Sequence, residues 1–301
     1  DPEALVLKFT VTAGQELTIG THLDYAYDFT IDWGDGTVED IAGQDPDPSH
    51  PYATGDTYTV AIKGNFPALQ MGSADNTSRN ALVDVAQWGT QQWQSMFGAF
   101  FECDNLVEFS ASDAPDLTET TDMSQMFLGC DSFNGAIGHW DTSNVTDMNN
   151  MFILANSFNQ PLVQQPGGWN TSNVTDMSYM FAGTNAFNQD LSSWDTGNVT
   201  SMNGMFLEAT AFDQSLGDWD ISSVTNMGGM FDGCGMSPAN INATIIGWAG
   251  FVNENGVPTN ITLGIDGISL CGPEVNNALI DLAVNYSWDV SGTYEYDAIC
   301  N

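Results

Sequence analysis

A repeated unit of 25 to 30 residues fills the middle of the chain and constrains its fold more than any other feature. The pair Met-Phe recurs at residues 96, 126, 151, 180, 205 and 230, and Trp recurs in phase at 140, 169, 194, 219 and 248. A unit this short cannot bury its apolar residues alone, so consecutive units must stack and share one core. We therefore expect about six stacked repeats between residues 71 and 250.

Two patterns inside each unit predict its local structure. Val145, Met148, Met151 and Phe152 are spaced as on one face of a short helical turn. The stretch 191–194 is short, apolar at intervals and bounded by polar turn residues, as expected of a parallel strand. The Met and aromatic residues are expected to form the core, with a Met-rich binding groove as the alternative. Together these patterns predict a right-handed solenoid of strands and short helices.

The segments on either side of the repeats have different patterns. Residues 1–70 alternate apolar and polar side chains and contain frequent turn residues, which predicts a small antiparallel β-sandwich. Residues 251–301 lose the Met-Phe mark and are expected to cap the last repeat, because its core would otherwise be exposed. Within this cap the sequence predicts an amphipathic helix over 274–284 and a closing strand at 288–290.

The charge of the chain excludes two classes of partner. Its 39 acidic residues outnumber Lys8, Lys63 and Arg79, which gives a formal net charge of −36. Nucleic acid and anionic membrane surfaces are excluded because both require basic residues. No apolar run reaches the roughly 20 residues of a membrane-spanning helix, so membrane insertion is not expected. The start at Asp1-Pro2 is typical of a mature secreted chain, and we expect a secreted, extracellular or cell-surface location.

Known catalytic motifs do not occur in the sequence. The three His residues lack the spacing of a zinc or di-iron site, and no nucleophile elbow or phosphate-binding loop is present. Pairs of carboxylates are the one enzyme-like signal, but 39 acidic residues guarantee such pairs by abundance alone. We therefore expect the protein not to be an enzyme.

Aspartates recur at fixed positions of the repeat and leave two interpretations open. One column follows the repeat Trp and another precedes the first repeat Met: Asp141, Asn170, Asp195 and Asp220, and Asp122, Asp147 and Asp176. These carboxylates either accept backbone N–H bonds at turns or bind Ca²⁺ between them. The turn at Asp32 and Asp35 permits the same two interpretations. No cofactor is required, and Ca²⁺ is the one candidate, with Asp32 and Asp35 as its ligands.

The five cysteines allow two disulfides. Cys103 and Cys130 align in neighbouring repeats if three residues are inserted behind Met96-Phe97, which places both thiols in one column at disulfide distance. Cys271 and Cys300 both lie in the cap, where a bridge would hold the C-terminal end. We predict the pairs Cys103–Cys130 and Cys271–Cys300, with Cys234 free. The alternative is that all five are reduced.

Particular repeat residues resemble a known family. Residues 173–181 read Asn-Val-Thr-Asp-Met-Ser-Tyr-Met-Phe and residues 187–195 read Phe-Asn-Gln-Asp-Leu-Ser-Ser-Trp-Asp, and both are similar to the BspA-like leucine-rich repeat surface proteins of bacteria. Residues 32–37, 50–52 and 56–60 resemble the PKD-type β-sandwich that precedes such repeats. The resemblance implies a mainly β fold with short helices: a PKD-like sandwich, a leucine-rich-repeat-like right-handed solenoid and a cap. It also implies a surface protein that acts through adhesion or protein contacts.

Three functions follow from these observations as hypotheses. The favoured one is a non-enzymatic secreted or cell-surface protein that mediates adhesion or recognition, with a protein or a surface glycan as the ligand of its repeats. The second is a structural subunit of an extracellular filament or surface layer, whose partners are copies of itself. The third is an enzyme that uses a pair of carboxylates.

Overall fold

The computed structural model of the protein describes residues 1–300. Its N-terminal part contains short helices and seven strands. In chain order these are β1 (Leu5–Val11), β2 (Glu16–Thr18), β3 (Ala26–Asp32), β4 (Val38–Gln44), β5 (Ser49–Pro51), β6 (Asp56–Asn65), a 3₁₀ turn (Met71–Ser73), α1 (Asn76–Ala81) and β7 (Leu82–Gln87).

Five of these strands form one antiparallel sheet in the order β4-β3-β6-β1-β7, and β2 pairs only with β5. The alternating apolar and polar residues of β1 and β3 explain why these segments form strands: every second side chain is buried on one face of the sheet. The predicted β-sandwich is wrong, since the strands do not divide into two comparable sheets. Strand β7 lies beyond residue 70 and pairs with β1, so the sheet continues to Gln87. Its pattern buries Leu82 and Val85 without alternation, which is why the sequence did not predict it.

The repeats fold differently from the prediction. Between residues 88 and 237, all of which the structure describes, there is no helix and no strand. Turns fill this region, and isolated parallel bridges connect one repeat to the next. The predicted leucine-rich-repeat-like solenoid of strands and short helices is therefore wrong. We call residues 88–237 the repeat stack.

The backbone shows why no strand forms. The N–H of Asn150 donates to Ser178 of the next repeat at 2.8 Å, whereas the N–H of Met151 turns back to the Met148 carbonyl of its own repeat at 3.3 Å. Partners alternate in this way because Asn150 has a left-handed φ of 57°. Every second bond is thus local, and a continuous strand ladder cannot develop.

The first repeat begins in a different register from the one that the sequence suggested. The Met96 N–H donates to the Asp122 carbonyl at 2.9 Å, and the first methionine of each of the next four repeats makes the same bond to the following repeat. Met96 is therefore the counterpart of Met123, and Ala99-Phe100 takes the place of the later Met-Phe pairs. The alignment of Met96-Phe97 with those pairs was wrong by three residues, and no insertion is needed.

The interior of the repeat stack consists of the Met and aromatic residues, as predicted. The rings of Phe127, Phe152 and Phe181 stack with centroids 5.4 Å apart. A parallel column repeats this spacing at 6.0 Å through Phe133, Phe158 and Phe187. All of these rings are fully buried. Stacked copies of one side chain therefore replace the contacts that a single repeat cannot make for itself.

The C-terminal part adds helices and short strands to the stack. In chain order these are α2 (Pro238–Asn255), β8 (Thr262–Gly264), β9 (Ser269–Cys271), α3 (Pro273–Tyr286), β10 (Asp289–Ser291) and β11 (Glu295–Asp297). The predicted helix and closing strand are confirmed by α3 and β10. Helix α2 begins at Pro238, a favourable first residue, and is terminated after Asn255 by Gly256, whose φ of 73° is left-handed. No helix within residues 1–300 is long and apolar enough to cross a membrane.

Candidate functional site

One side of the repeat stack presents the same five-residue segment five times. The segments are 121–125, 146–150, 175–179, 200–204 and 225–229, and each has Thr first and Met third. The Met points into the core and is fully buried, while the Thr is exposed in every copy. We call the non-methionine residues of these five segments the polar face.

The threonines of the polar face form a rigid ladder. Each Oγ1 from Thr146 onwards donates to the backbone carbonyl of the threonine one repeat earlier, at 3.0 to 3.2 Å. The backbone N–H of the same threonine donates to the same carbonyl, for example Thr175 to Thr146 at 2.8 Å. Two bonds to one acceptor fix the rotamer, so the exposed side chains keep a constant spacing.

The second position of the polar face carries a column of carboxylates. Asp122, Asp147 and Asp176 are neighbours through parallel bridges, and the column continues with Ser201 and Asn226. Each aspartate Oδ1 accepts the backbone N–H two residues later, at 2.8 to 2.9 Å. The interpretation that these carboxylates accept turn N–H groups is therefore confirmed. Residues 1–300 contain no group of three or more His, Cys, Asp or Glu side chains that could hold a metal ion.

The middle carboxylate of this column differs electrostatically from an isolated one. Burial raises the pKa of Asp147, and the negative charges of Asp122 and Asp176 raise it further, against the opposing effect of its bonds from Asn149. The repulsion between carboxylates stops after Asp176, because the next two members of the column, Ser201 and Asn226, are uncharged. The polar face thus has an acidic half in its first three segments and a neutral half in its last two.

The fifth position of each segment was not recognised from the sequence. Gln125, Asn150, Tyr179, Gly204 and Gly229 all have a left-handed φ between 56° and 63°. Asn and Gly are the residues that adopt this conformation most readily, and their recurrence at one position was the available signal. The column ends in Gly204 and Gly229, so the neutral half of the polar face has no side chain at its fifth position.

The other recurring aspartates and the proposed calcium ligands serve turns as well. Asp141 and Asp220 accept the N–H two residues later at 3.1 and 2.9 Å. Asp32 accepts from Gly34, and Asp35 accepts from Thr37, both at 2.9 Å. Asp32 and Asp35 belong to no group of three or more His, Cys, Asp or Glu side chains within residues 1–300 that could hold a metal ion.

Asp35 has a second partner in the ring of a histidine. Its Oδ2 lies 2.8 Å from His50 Nε2. This hydrogen bond, together with the Thr37 N–H, lowers the pKa of Asp35 to about 2. The ring of His50 stacks on Trp33 with centroids 5.1 Å apart, so the pair fixes the turn after β3 against the sheet. Its role is that of a turn anchor in the N-terminal sheet.

The cysteines divide into one bridge and three thiols. Cys271 and Cys300 form a disulfide with their Cα atoms 5.1 Å apart, the pair predicted for the cap. Cys103 and Cys130 are free and fully buried, so the bridge predicted between them is not present. The Cys130 Sγ instead donates to the Phe100 carbonyl at 2.7 Å. Burial raises the pKa of both thiols well above the usual range.

Comparison with known proteins gives one finding. A family model described as "Mycoplasma protein of unknown function, DUF285" matches residues 94–165 and 121–248. No curated protein and no solved structure matches the chain. The expected membership of the BspA-like leucine-rich repeat proteins, with a PKD-type sandwich, is wrong, because the family that matches is a different one and the predicted solenoid does not form.

Proposed function

The chain belongs to the DUF285 family, and from this premise we propose that it is a non-enzymatic secreted or cell-surface protein whose repeats bind a protein or a surface glycan. The match falls on the repeats, which places the shared feature of the family in the repeat stack. The polar face is a regular surface of that stack, with an exposed threonine in every segment. We therefore assign recognition to the polar face.

The observation that carries this proposal is the rigid spacing of exposed polar groups. Threonine hydroxyls and half-buried aspartate carboxylates recur at the distance of one repeat and are held by bonds to the backbone. A surface whose groups are already ordered loses little conformational entropy when a ligand binds. Extended repeat surfaces bind through many such groups at once.

The acidic half of the polar face supports a ligand with positive charge or with several hydroxyl groups. Asp122, Asp147 and Asp176 each use one carboxylate oxygen for a turn N–H, and a carboxylate has further acceptor sites. Tyr179 adds an aromatic side chain at the border of the acidic and neutral halves. Carboxylates beside an aromatic ring suit ammonium groups and sugar rings alike.

The disulfide supports a location outside the cytosol. A bridge between Cys271 and Cys300 is typical of oxidising compartments such as the extracellular space. Self-assembly receives less support, because all three basic residues are already paired within the chain. Lys8 binds Asp84, Lys63 binds Asp1 and Arg79 binds Glu102, at 2.7 to 2.9 Å. A second copy would therefore bring mainly negative charge to any contact.

Binding to arrays of purified matrix proteins and glycans tests the proposal. The labelled chain is compared with the double variant D176N/Y179A, which changes the polar face, and with D218N, which removes one exposed charge elsewhere. We expect binding to at least one ligand class that is lost in the double variant and kept in D218N. Binding that is equal in all three proteins, or no binding by any of them, would contradict the proposal. Filaments seen by electron microscopy would favour self-assembly instead.

A further inference from the structure

The C-terminal strands continue the layering of the repeats and end in an outermost layer. Leu263 of β8 bridges to Met227 of the last repeat, and β10 pairs in parallel with β8. Strand β11 pairs in parallel with β9 in the same way. Residues 289–297, which contain β10 and β11, therefore lie one layer beyond residues 261–271. We call residues 289–297 the open edge.

Alternate residues of the open edge bind the layer beneath. The N–H of Asp289 donates to Ile261 at 2.8 Å, and the N–H of Glu295 donates to Ile268 at 3.0 Å. Between them, the carbonyls of Ser291 and Thr293 accept from Ile265 and Gly267 at 3.0 and 2.7 Å. The backbone bonding groups of the odd-numbered residues thus point towards the layer beneath throughout the open edge.

The even-numbered residues of the open edge point their backbone groups away from the stack. A trans peptide unit directs its C=O and its N–H to opposite sides, so each inward bond of an odd-numbered residue turns the group of its even-numbered neighbour outward, also in residues 292–294 between the two strands. The outward backbone groups are therefore those of the even-numbered residues Val290, Gly292, Tyr294 and Tyr296. On that side neither β10 nor β11 has a second neighbouring strand within residues 1–300. Tyr294 and Tyr296 are 41% and 42% exposed. Outward backbone groups of this kind are a template for another strand.

The charge of this region selects the kind of strand that fits. Asp289 and Glu295 are exposed on the open edge. The chain carries a net charge of −36, and its three basic side chains are all engaged in internal ion pairs. A second copy would therefore place acid against acid. A segment rich in Lys or Arg would instead be attracted by the negative charge of the open edge.

We propose that the open edge binds an extended, Lys- or Arg-rich segment of another protein as an added β-strand. Backbone bonds to the even-numbered residues would supply affinity, and the carboxylates of Asp289 and Glu295 would select for positive charge. This site lies at the end of the stack and does not depend on the polar face. If the D176N/Y179A variant lost binding to the arrays, the proposal for the open edge would still stand.

A synthetic peptide tests the proposal with the full chain. The probe is a seven-residue peptide of alternating Lys and Val, blocked at both ends, and its binding is measured by isothermal titration calorimetry. We expect saturable binding with one site per chain and an affinity that falls as NaCl is raised. The matched peptide with Glu in place of Lys is expected not to bind.

Two controls separate strand addition from attraction by charge alone. The first is the same Lys-Val peptide with alternate backbone nitrogens methylated, which keeps the charge but cannot pair as a strand. The second is a pair of variants, Y294P and Y294A. Tyr294 lies directly before β11, and proline there removes its outward N–H, whereas alanine removes only the side chain. We expect Y294P to bind about tenfold more weakly than Y294A, as for the loss of one good hydrogen bond.

Several outcomes would overturn the proposal. Equal binding of the methylated peptide, or equal binding by Y294P and Y294A, would show that the peptide is held by charge and not as a strand. Binding of the Glu peptide would contradict the selection for positive charge. Dimers in sedimentation experiments that are lost in Y294P would identify a second copy as the occupant. The thermal midpoint of Y294P is measured first, and if it falls below that of Y294A, the methylated peptide on the unaltered chain decides the question.

Discussion

The ring of Tyr179 lies against the α-carbon of Gly204 in the next repeat. A Cβ placed on Gly204 would come within 2.3 Å of Tyr179 Cε1 and 2.5 Å of Cδ1. The same relationship recurs between Leu154 and Gly183, whose φ angles of 57° and 65° are also left-handed: Leu154 Cδ2 would lie 2.7 Å from a Cβ on Gly183. Tyr179 and Leu154 thus each require a glycine at the matching position one repeat later. The repeats are complementary neighbours and not interchangeable copies.

Substitution of Gly204 by alanine is expected to destabilise the protein for two reasons. Its φ of 60° is left-handed, which costs alanine about 1–2 kcal/mol, and the new methyl group must displace the Tyr179 ring. Gly229 in the same column is the matched control, because its φ is 63° and its nearest neighbour is Asp232 Oδ2 at 3.4 Å. G204A should therefore unfold at lower urea than G229A. Equal midpoints would show that the ring contact has no energetic role.

Replacement of a stacked tryptophan tests the shared core. Trp194 is 4% exposed, stacks on Trp219 and donates its Nε1–H to the Leu162 carbonyl at 2.7 Å. We expect W194A to lose about 3–5 kcal/mol of unfolding free energy, as large-to-small core substitutions do. W194F keeps an aromatic ring but not the hydrogen bond, so its unfolding free energy should lie between those of the wild type and W194A. Wild-type melting of W194A would contradict the stacked core.

The sequence allowed the stacking and its interior to be predicted, but not the backbone path. Met148 and Phe152 are buried because a repeat of 25 to 30 residues can form a core only by stacking on its neighbours. Their burial could therefore be predicted from the repeat spacing alone. Spacing of three residues is shared by a helical turn and by the alternating turns that occur here. The left-handed φ of Asn150 decides between them, and a residue type that merely favours this conformation does not guarantee it.

The candidate site was predictable in its parts and not in its arrangement. The Thr and Asp columns are visible in the sequence, and their role in accepting and donating turn bonds follows from residue chemistry. The open edge was not predictable, since it depends on which of β10 and β11 has a second neighbour. The register of Met96 was lost because Ala99 stands where later repeats have Met, so the nearest Met-Phe pair gave a false match.

The carboxylate of Asp147 is expected to reduce stability at neutral pH. Burial and the neighbouring carboxylates raise its pKa in the folded protein, so the folded state binds this proton more tightly than the unfolded chain. Stability is therefore lost as pH rises through the folded pKa of Asp147. D147N should melt at a higher temperature than the wild type at pH 7, and the difference should shrink towards pH 4. Asn226 shows that an amide can accept the same turn bond, at 3.0 Å from Gly228 N.

Asp190 provides a control of the opposite sign for this pH experiment. The N–H and hydroxyl of Ser192 lower the pKa of Asp190, so its contribution to stability is present above the unfolded pKa and lost as pH falls through the folded one. D190N should therefore melt at a lower temperature than the wild type at pH 7, and this difference should also vanish in acid. Shifts of the same sign in both variants would contradict the electrostatic explanation.

The three free thiols should differ in reactivity. Cys103 and Cys130 are fully buried, whereas Cys234 is partly exposed and burial raises its pKa to about 11. Because the thiolate is the reacting form, a thiol reagent should modify Cys234 alone in the folded protein, and faster as pH rises towards that value. All three should react after denaturation. Rapid native labelling of Cys103 or Cys130 would show that the repeat stack opens locally.

The Cys271–Cys300 bridge is expected to hold the open edge in place. It closes a segment of 29 residues, which in the chain-entropy account stabilises by about 3–4 kcal/mol. Strand β11 has β9 as its neighbour in a two-stranded sheet, so few other bonds hold it. In the double variant C271S/C300S we expect amides of residues 289–297 to exchange with deuterium faster, while those of residues 146–181 keep their protection. Unchanged exchange at residues 289–297 would show that packing alone orders the open edge, and faster exchange throughout would show that the bridge stabilises the whole stack.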